Sequence, residues 1–260
     1  MKAALLQLTS GTDPDANFRA VAEMAIRTDA AFLLTPEMTP LLQKDPAALE
    51  AAVRPEDETV APYLGFARER SVHLLLGSAA IRRDDGRIAN RSLLIDPDGV
   101  VIARYDKMHL FEASLPGGET YRESDAYAAG DSPVVTTVGG LRLGLSICYD
   151  LRFPALYSGY GLDGVDLISA PSAFTRSTGK AHWQTLLRAR AIETGAWLLA
   201  PAQGGTHADG RKTWGRTMAV APWGEIAGVL DHDQPGVLEI EIDAKAVADA
   251  RARIPAWRQR

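Results

Sequence analysis

The stretch LGLSICYDLRFP, residues 143–154, carries an apolar run that ends at Cys148 and passes at once into the polar residues Tyr149, Asp150 and Arg152. Leu143–Cys148 reads as a β-strand and Phe153–Leu162, opened by Pro154, as a helix. Cys148 therefore falls at a strand-to-helix turn, and it is the single cysteine of 260 residues. Two readings stand side by side. One is a small buried hydrophobe; the other is a thiol presented beyond the carboxyl end of a strand, where ligands of open α/β sheets collect.

The same grammar extends in both directions. Upstream, strands are expected at Lys2–Leu8, Ala31–Thr35 and Val72–Ala79, with helices from Pro14 to about Thr28, over Pro46–Val53 and over Thr59–Arg70. Pro97-Asp98-Gly99 is a turn signal between the runs Ser92–Asp96 and Val100–Tyr105, and residues 112–132 read as loop. Downstream, strands at Val165–Ala170, Trp197–Pro201, Thr217–Pro222, Glu225–Leu230 and Gly236–Ile242 alternate with helices at His182–Thr194 and Ala244–Arg253. No linker or low-complexity tract divides the chain, so residues 1–260 read as one α/β domain with mixed sheets.

Composition bounds the function. The chain is 46% hydrophobic and 23% charged, the make-up of a globular protein, and its net charge of -5 provides no basic surplus for nucleic acid. No apolar run is long enough to span a bilayer. The N-terminus passes directly into a helix cap without a signal-peptide cleavage pattern. A lone cysteine cannot close an internal disulfide, which points to the cytoplasm.

Two further reactive residues sit where Cys148 sits, at the ends of apolar strands. Glu37 follows AFLLT in the stretch LLTPEM, and Lys107 follows VVIARY in RYDKMHLF. Each alone fits a solvated loop charge; together with Cys148 they make a chemical set. A free thiol needs a base or a neighbouring cation to react near neutrality. Glu37 can take its proton, Lys107 can stabilise an oxyanion, and the N–H of Tyr149 can be a second oxyanion donor. His109 is the alternative partner for the thiol, although a structural place suits it better. GYGLDG (159–164) has the letters of a dinucleotide loop but follows a helix and precedes a strand, the wrong context. The five histidines show no metal-ligand spacing.

In order, TPEM, RYDKMHLF and SICYDLRFPALY resemble the three signature segments of the carbon–nitrogen hydrolase, or nitrilase, superfamily. The resemblance implies a four-layer α-β-β-α sandwich paired into a homodimer or a higher homo-oligomer, with no metal and no organic cofactor. It assigns Glu37 as general base, Lys107 as the charge on the tetrahedral intermediate and Cys148 as nucleophile. It also places a second glutamate, which orients the lysine, at Glu123 in PGGETYRES. The implied partners are a small amide and water: a thioester forms, ammonia leaves, and water releases the acid. Within the superfamily, PSAFTRSTGKAHWQTLLRARAIET and AQGGTHADGRKTWG are similar to the amidases of deaminated glutathione, with omega-amidases and N-carbamoyl amidases as neighbours. Such substrates carry carboxylates, so Phe174 and Arg176, in loop beyond a strand, are candidates for substrate contact, and Arg211 and Lys212 are further cations nearby. Outside catalysis, a silent binding protein of the same fold and a thiol redox protein compete. The intact Glu–Lys–Cys set opposes the first, and the lack of a resolving cysteine opposes the second.

Overall fold

The computed structural model describes residues 1–114, 118 and 120–258. In chain order it runs β1 (Lys2–Gln7), α1 (Pro14–Ala25), β2 (Phe32–Leu34), α2 (Pro46–Ala52), α3 (Glu56–Arg70), β3 (His73–Arg82), β4 (Ile88–Ile95) and β5 (Val101–Asp106). Three short strands follow, β6 (Glu112–Ser114), β7 (Thr120–Arg122) and β8 (Tyr127–Ala128), and then the hairpin of β9 (Val135–Val138) and β10 (Leu141–Leu145). The last part comprises α4 (Pro154–Leu162), β11 (Leu167–Ser169), α5 (Arg176–Thr194), β12 (Trp197–Ala200), β13 (Gly204–Thr206) and β14 (Lys212–Trp214). It closes with β15 (Met218–Val220), β16 (Ile226–Val229), β17 (Gly236–Glu241) and α6 (Ala244–Arg253).

Two mixed sheets result. The first has the order β17-β1-β2-β3-β4-β5 with β8 beside β4, and the second the order β16-β15-β12-β11-β10-β9. Alternation along β1 shows how they stack. Ala3 and Leu5 belong to the core shared with Leu143, Leu145 and Leu167 of the second sheet. Ala4 and Leu6 face the opposite way, into a core with Val21 and Met24 of α1 and Val60, Tyr63 and Phe66 of α3. Helix α5 lies on β12 and β15 across the far face of the second sheet. The layers are therefore helix, sheet, sheet, helix, as the resemblance implies. Among the described residues, no helix is long and apolar enough to cross a membrane.

Local chemistry sets the helix starts. Asp13 accepts hydrogen bonds from the N–H groups of Asp15 and Ala16 at 3.0 and 3.2 Å and Pro14 takes the first helical position, a start worth about 1 kcal/mol. Helix α5 is longer than the pattern predicts. Thr175 caps it through the N–H of Thr178, so it begins at Arg176 rather than at His182. Gly179 in its first turn masks the signal, and the glycine is there for packing: a Cβ on it would lie 2.3 Å from Trp214.

Residues 112–132 also differ from the loop expected. They hold the β6–β7 hairpin, a one-turn 3₁₀ helix over Glu123–Asp125 and β8; the part of that expectation on residues 115–117 and 119 lies outside the described residues. Strands of two or three residues with exposed faces carry no readable alternation.

Candidate active site

Strand directions bring the reactive residues together. β1, β2 and β3 run parallel, and β4 and β5 reverse twice, so β2 and β5 end on the same rim of the first sheet. Glu37 follows β2 and Lys107 follows β5. In the second sheet β10 ends at Leu145, three residues earlier than the apolar run suggests. Cys148 then opens a 3₁₀ turn, Cys148–Arg152, with a left-handed φ of 48°. Such strain in a non-glycine residue persists only where its surroundings enforce it. Here the N–H of Cys148 is held by Pro171 O at 3.0 Å.

The turn under Glu37 is set by Gly77 of β3. A Cβ on Gly77 would stand 1.9 Å from Thr35 O and 2.7 Å from Pro171 Cβ, so only glycine lets both turns approach. Next to it, Ser78 Oγ accepts the N–H of Met38 at 2.9 Å.

The ammonium of Lys107 is buried between two carboxylates. Its Nζ lies 2.9 Å from Glu37 Oε1 and 2.8 Å from Glu123 Oε2. Asn90 braces the pair, its Nδ2 donating at 3.0 Å to Oε1 of both glutamates. The backbone completes the set: the N–H of Ala173 donates to Glu37 Oε2 at 2.9 Å and that of Phe111 to Glu123 Oε2 at 2.6 Å. Asn90 Oδ1 has no partner among the described residues, a cost accepted because turning the amide would point an oxygen at two carboxylates.

Electrostatics follow from this count. Burial works against the charge on Lys107, but Glu123 and Glu37 outweigh it and hold its pKa well above the ordinary lysine value. Burial and then the charge of Glu37 push the Cys148 thiol well above its ordinary value, although Lys107 pulls it down. Two carboxylates and one ammonium already leave the cluster at −1, and a thiolate would add a second buried negative charge. The resting thiol is therefore protonated beside Glu37. Glu37 Oε1 already accepts two hydrogen bonds and Oε2 one, so Oε2 keeps a free lone pair, and Glu37 lies close enough to Cys148 for its charge to raise the thiol further.

A second buried carboxylate ties the cysteine turn to the lysine strand. Asp150 Oδ2 accepts from Tyr105 Oη at 2.7 Å and Ile147 N at 2.8 Å. Its Oδ1 accepts from His109 N at 3.0 Å and meets His109 Nδ1 at 2.7 Å. Tyr105 and His109 lie two residues to either side of Lys107, so one carboxylate fixes Cys148 against Lys107. His109 stacks on Phe153 with ring centroids 3.7 Å apart, a structural place rather than that of a base for the thiol.

Cys148, Glu37, Lys107 and Glu123 line a pocket of about 1120 Å³ together with Tyr149, Phe174 and Arg176. All seven candidates thus meet at one cavity. Phe174 is buried against Trp183. Arg176 sits at the first position of α5 rather than in a loop, and its Nη2 is paired with Asp233 at 2.7 Å. The sequence reading missed Asn90, hidden inside a strand, and the pocket role of Arg152, whose guanidinium lies 5.3 Å from the centroid of the Phe174 ring and 5.8 Å from that of Tyr149. The placement of Arg152 in the polar cluster after the cysteine was its one available signal. Among the described residues, no group of three or more His, Cys, Asp or Glu side chains could hold a metal ion.

Comparison with known proteins identifies the family and the fold. The family model described as carbon–nitrogen hydrolase matches residues 2–252. The deaminated glutathione amidase of Yersinia enterocolitica is 37% identical over 258 residues, covering 97% of this chain and 90% of the relative. The structure of the C. elegans NitFhit protein superposes with a TM-score of 0.89 at 34% identity, covering all of this chain, which spans 64% of that longer one. A mutant of the amidase from Nesterenkonia sp. AN1, 29% identical with a TM-score of 0.79 and 98% of each chain covered, shows Michael addition of acrylamide at its active-site cysteine. The chain belongs to the carbon–nitrogen hydrolase family and is a hydrolase of carbon–nitrogen bonds other than peptide bonds.

Proposed function

We propose that the protein is an amidase of deaminated glutathione in which Cys148 is the nucleophile, Glu37 the general base and Lys107 the oxyanion partner. The observation that carries the reading is the buried Glu37–Lys107–Glu123 cluster against the thiol, at the base of a pocket rich in cations. As Sγ attacks the amide carbon, its proton passes to Glu37 Oε2 and the carbonyl oxygen becomes an oxyanion. Lys107 Nζ and the N–H of Tyr149, near the start of the 3₁₀ turn, face that charge; one such donor is worth about 10²–10³ in rate. Collapse breaks the C–N bond, and the leaving amine takes the proton from Glu37. The amine is ammonia from a primary amide and cysteinylglycine from deaminated glutathione. Glu37 then deprotonates a water that attacks the thioester, and the returning proton restores the thiol and the acid is released. Glu123 keeps Lys107 in place throughout.

The pocket charge supports an anionic substrate. Among the described residues, its lining outside the catalytic cluster includes Lys44, Arg122, Arg152, Arg176, Arg211 and Lys212 against the single carboxylate of Asp125, in a chain of net charge -5. Arg152, with no carboxylate partner among the described residues and held against the aromatic rings of Tyr149 and Phe174, is the cation suited to the 2-oxo acid end. Arg176 is already neutralised by Asp233 and supports the wall instead. A free thiol fits a cytoplasmic enzyme, and the family resemblance favours a homodimer, which sedimentation at micromolar concentration checks.

Release of 2-oxoglutarate from deaminated glutathione and from 2-oxoglutaramate tests the substrate. A higher kcat/KM on the former supports the reading. Preference for the latter makes the protein an omega-amidase, and activity confined to N-carbamoyl amino acids would remove both.

A further inference from the structure

We infer that the pocket mouth holds a second anion subsite, formed by Lys44 and Lys212 beside Arg211, which takes a carboxylate on the amine half of the substrate. This rests on the amidase reading above and adds the part of the substrate that leaves. Three observations converge. Lys44, from the segment between Glu37 and α2, brings its Nζ to 3.4 Å from where a Cβ would stand on Gly210. Gly210, with φ of 84°, lies in the turn between β13 and β14, so Lys44 meets the tip of that hairpin where Arg211 and Lys212 also line the cavity. The hairpin is firmly seated, because Trp214 N donates to Phe174 O at 2.9 Å and Thr213 bridges to Thr175.

Among the described residues, Asp209 neutralises Arg211 at 2.7 Å and is the only carboxylate paired with any of these three cations. Lys44 and Lys212 have no carboxylate partner among the described residues. Like charges that gather at a cavity mouth repel one another unless an anion lies between them, and the net charge of -5 gives the chain no surplus of cations to scatter there. Arg152, by contrast, is carried by the Cys148 turn and sits among Tyr149, Phe174 and His182, whereas Lys44 meets the tip of the β13–β14 hairpin at Gly210. The pocket therefore offers two separate cationic places, and its volume of about 1120 Å³ exceeds what a five-carbon acyl group fills. A substrate with one carboxylate on the acyl half and another on the amine half satisfies both. Deaminated glutathione has the second carboxylate on its glycine; 2-oxoglutaramate has the same acyl half and lacks it.

The test compares kcat/KM on these two substrates for the wild type, Lys44→Gln, Lys212→Gln and the double variant. Loss of the subsite raises KM for deaminated glutathione about five- to tenfold in the double variant, the size of a solvent-screened charged hydrogen bond. The ratio of the two kcat/KM values falls by the same factor, and Lys44→Arg recovers the contribution of Lys44. If the wild type hydrolyses both amides and the double variant leaves their ratio unchanged, the subsite is wrong and the amidase reading stands. A wild type that hydrolyses only 2-oxoglutaramate also overturns the subsite, and one that hydrolyses neither overturns the substrate reading with it.

Discussion

At the scale of the residue, the site is organised around one shared charge. Lys107 is 2% exposed and lies between two carboxylates, so it cannot be removed as a simple change of shape. Lys107→Met leaves Glu37 and Glu123 facing each other in a buried space. It is predicted to abolish turnover and also to destabilise the fold by about 3–5 kcal/mol, as loss of one partner of a buried pair does; chemical denaturation beside the amidase assay measures both. The same cluster decides the state of Cys148. Burial and Glu37 raise its pKa above the ordinary value of a thiol, so the thiolate fraction is negligible at neutral pH and grows only in alkali. Absorbance near 240 nm, compared with that of Cys148→Ala, reads this directly because the chain has no other cysteine. A thiolate band already full at pH 7 would contradict the proton transfer to Glu37.

At the scale of the element, strands were legible where the apolar run is four residues or longer, whether buried on both faces as β1 and β12 or half-exposed as β5 and β17, and turns where proline or glycine forced them. Glu37, Lys107 and Cys148 stood out as a candidate set because each lies at the end of an apolar run, and the structure brings the three to one pocket. What the sequence concealed depends on contacts between distant elements. Asn90 looks like any strand residue until β4 lies beside both glutamates, and the start of α5 is masked by Gly179, which serves the β13–β14 hairpin. Asp150 shows how such contacts act. It is fully buried and accepts four hydrogen bonds that lock the Cys148 turn to the segment carrying Lys107. In Asp150→Asn one oxygen becomes a donor facing donors. The variant is predicted to lose about 2–4 kcal/mol of stability and to lower kcat more than it raises KM, because the substrate still binds while Cys148 and Lys107 lose register. A kcat unchanged beside a lowered melting temperature would reduce Asp150 to a purely structural role.

At the scale of the whole molecule, the site lies where two sheets meet, with Glu37 and Lys107 supplied by one and Cys148 by the other. The shared core joins Ala3, Leu5 and Leu34 of the first sheet to Leu143, Leu145 and Leu167 of the second. Neither sheet can bury that face alone, and we propose that residues 1–260 behave as one domain. Urea unfolding followed by tryptophan fluorescence and by far-ultraviolet circular dichroism is predicted to give coincident single transitions. Transitions that separate would mean that the halves fold independently and that the site is assembled only by their docking.

Whether Cys148 performs the chemistry is tested most directly by kcat of Cys148→Ala on an amide that the wild type hydrolyses, with the melting temperature recorded beside it. A loss of at least about 10⁴-fold with the fold retained is expected, since removing a nucleophile costs this much while removing one buried sulfur costs little stability. A folded Cys148→Ala protein turning over at the wild-type rate would contradict that role for Cys148.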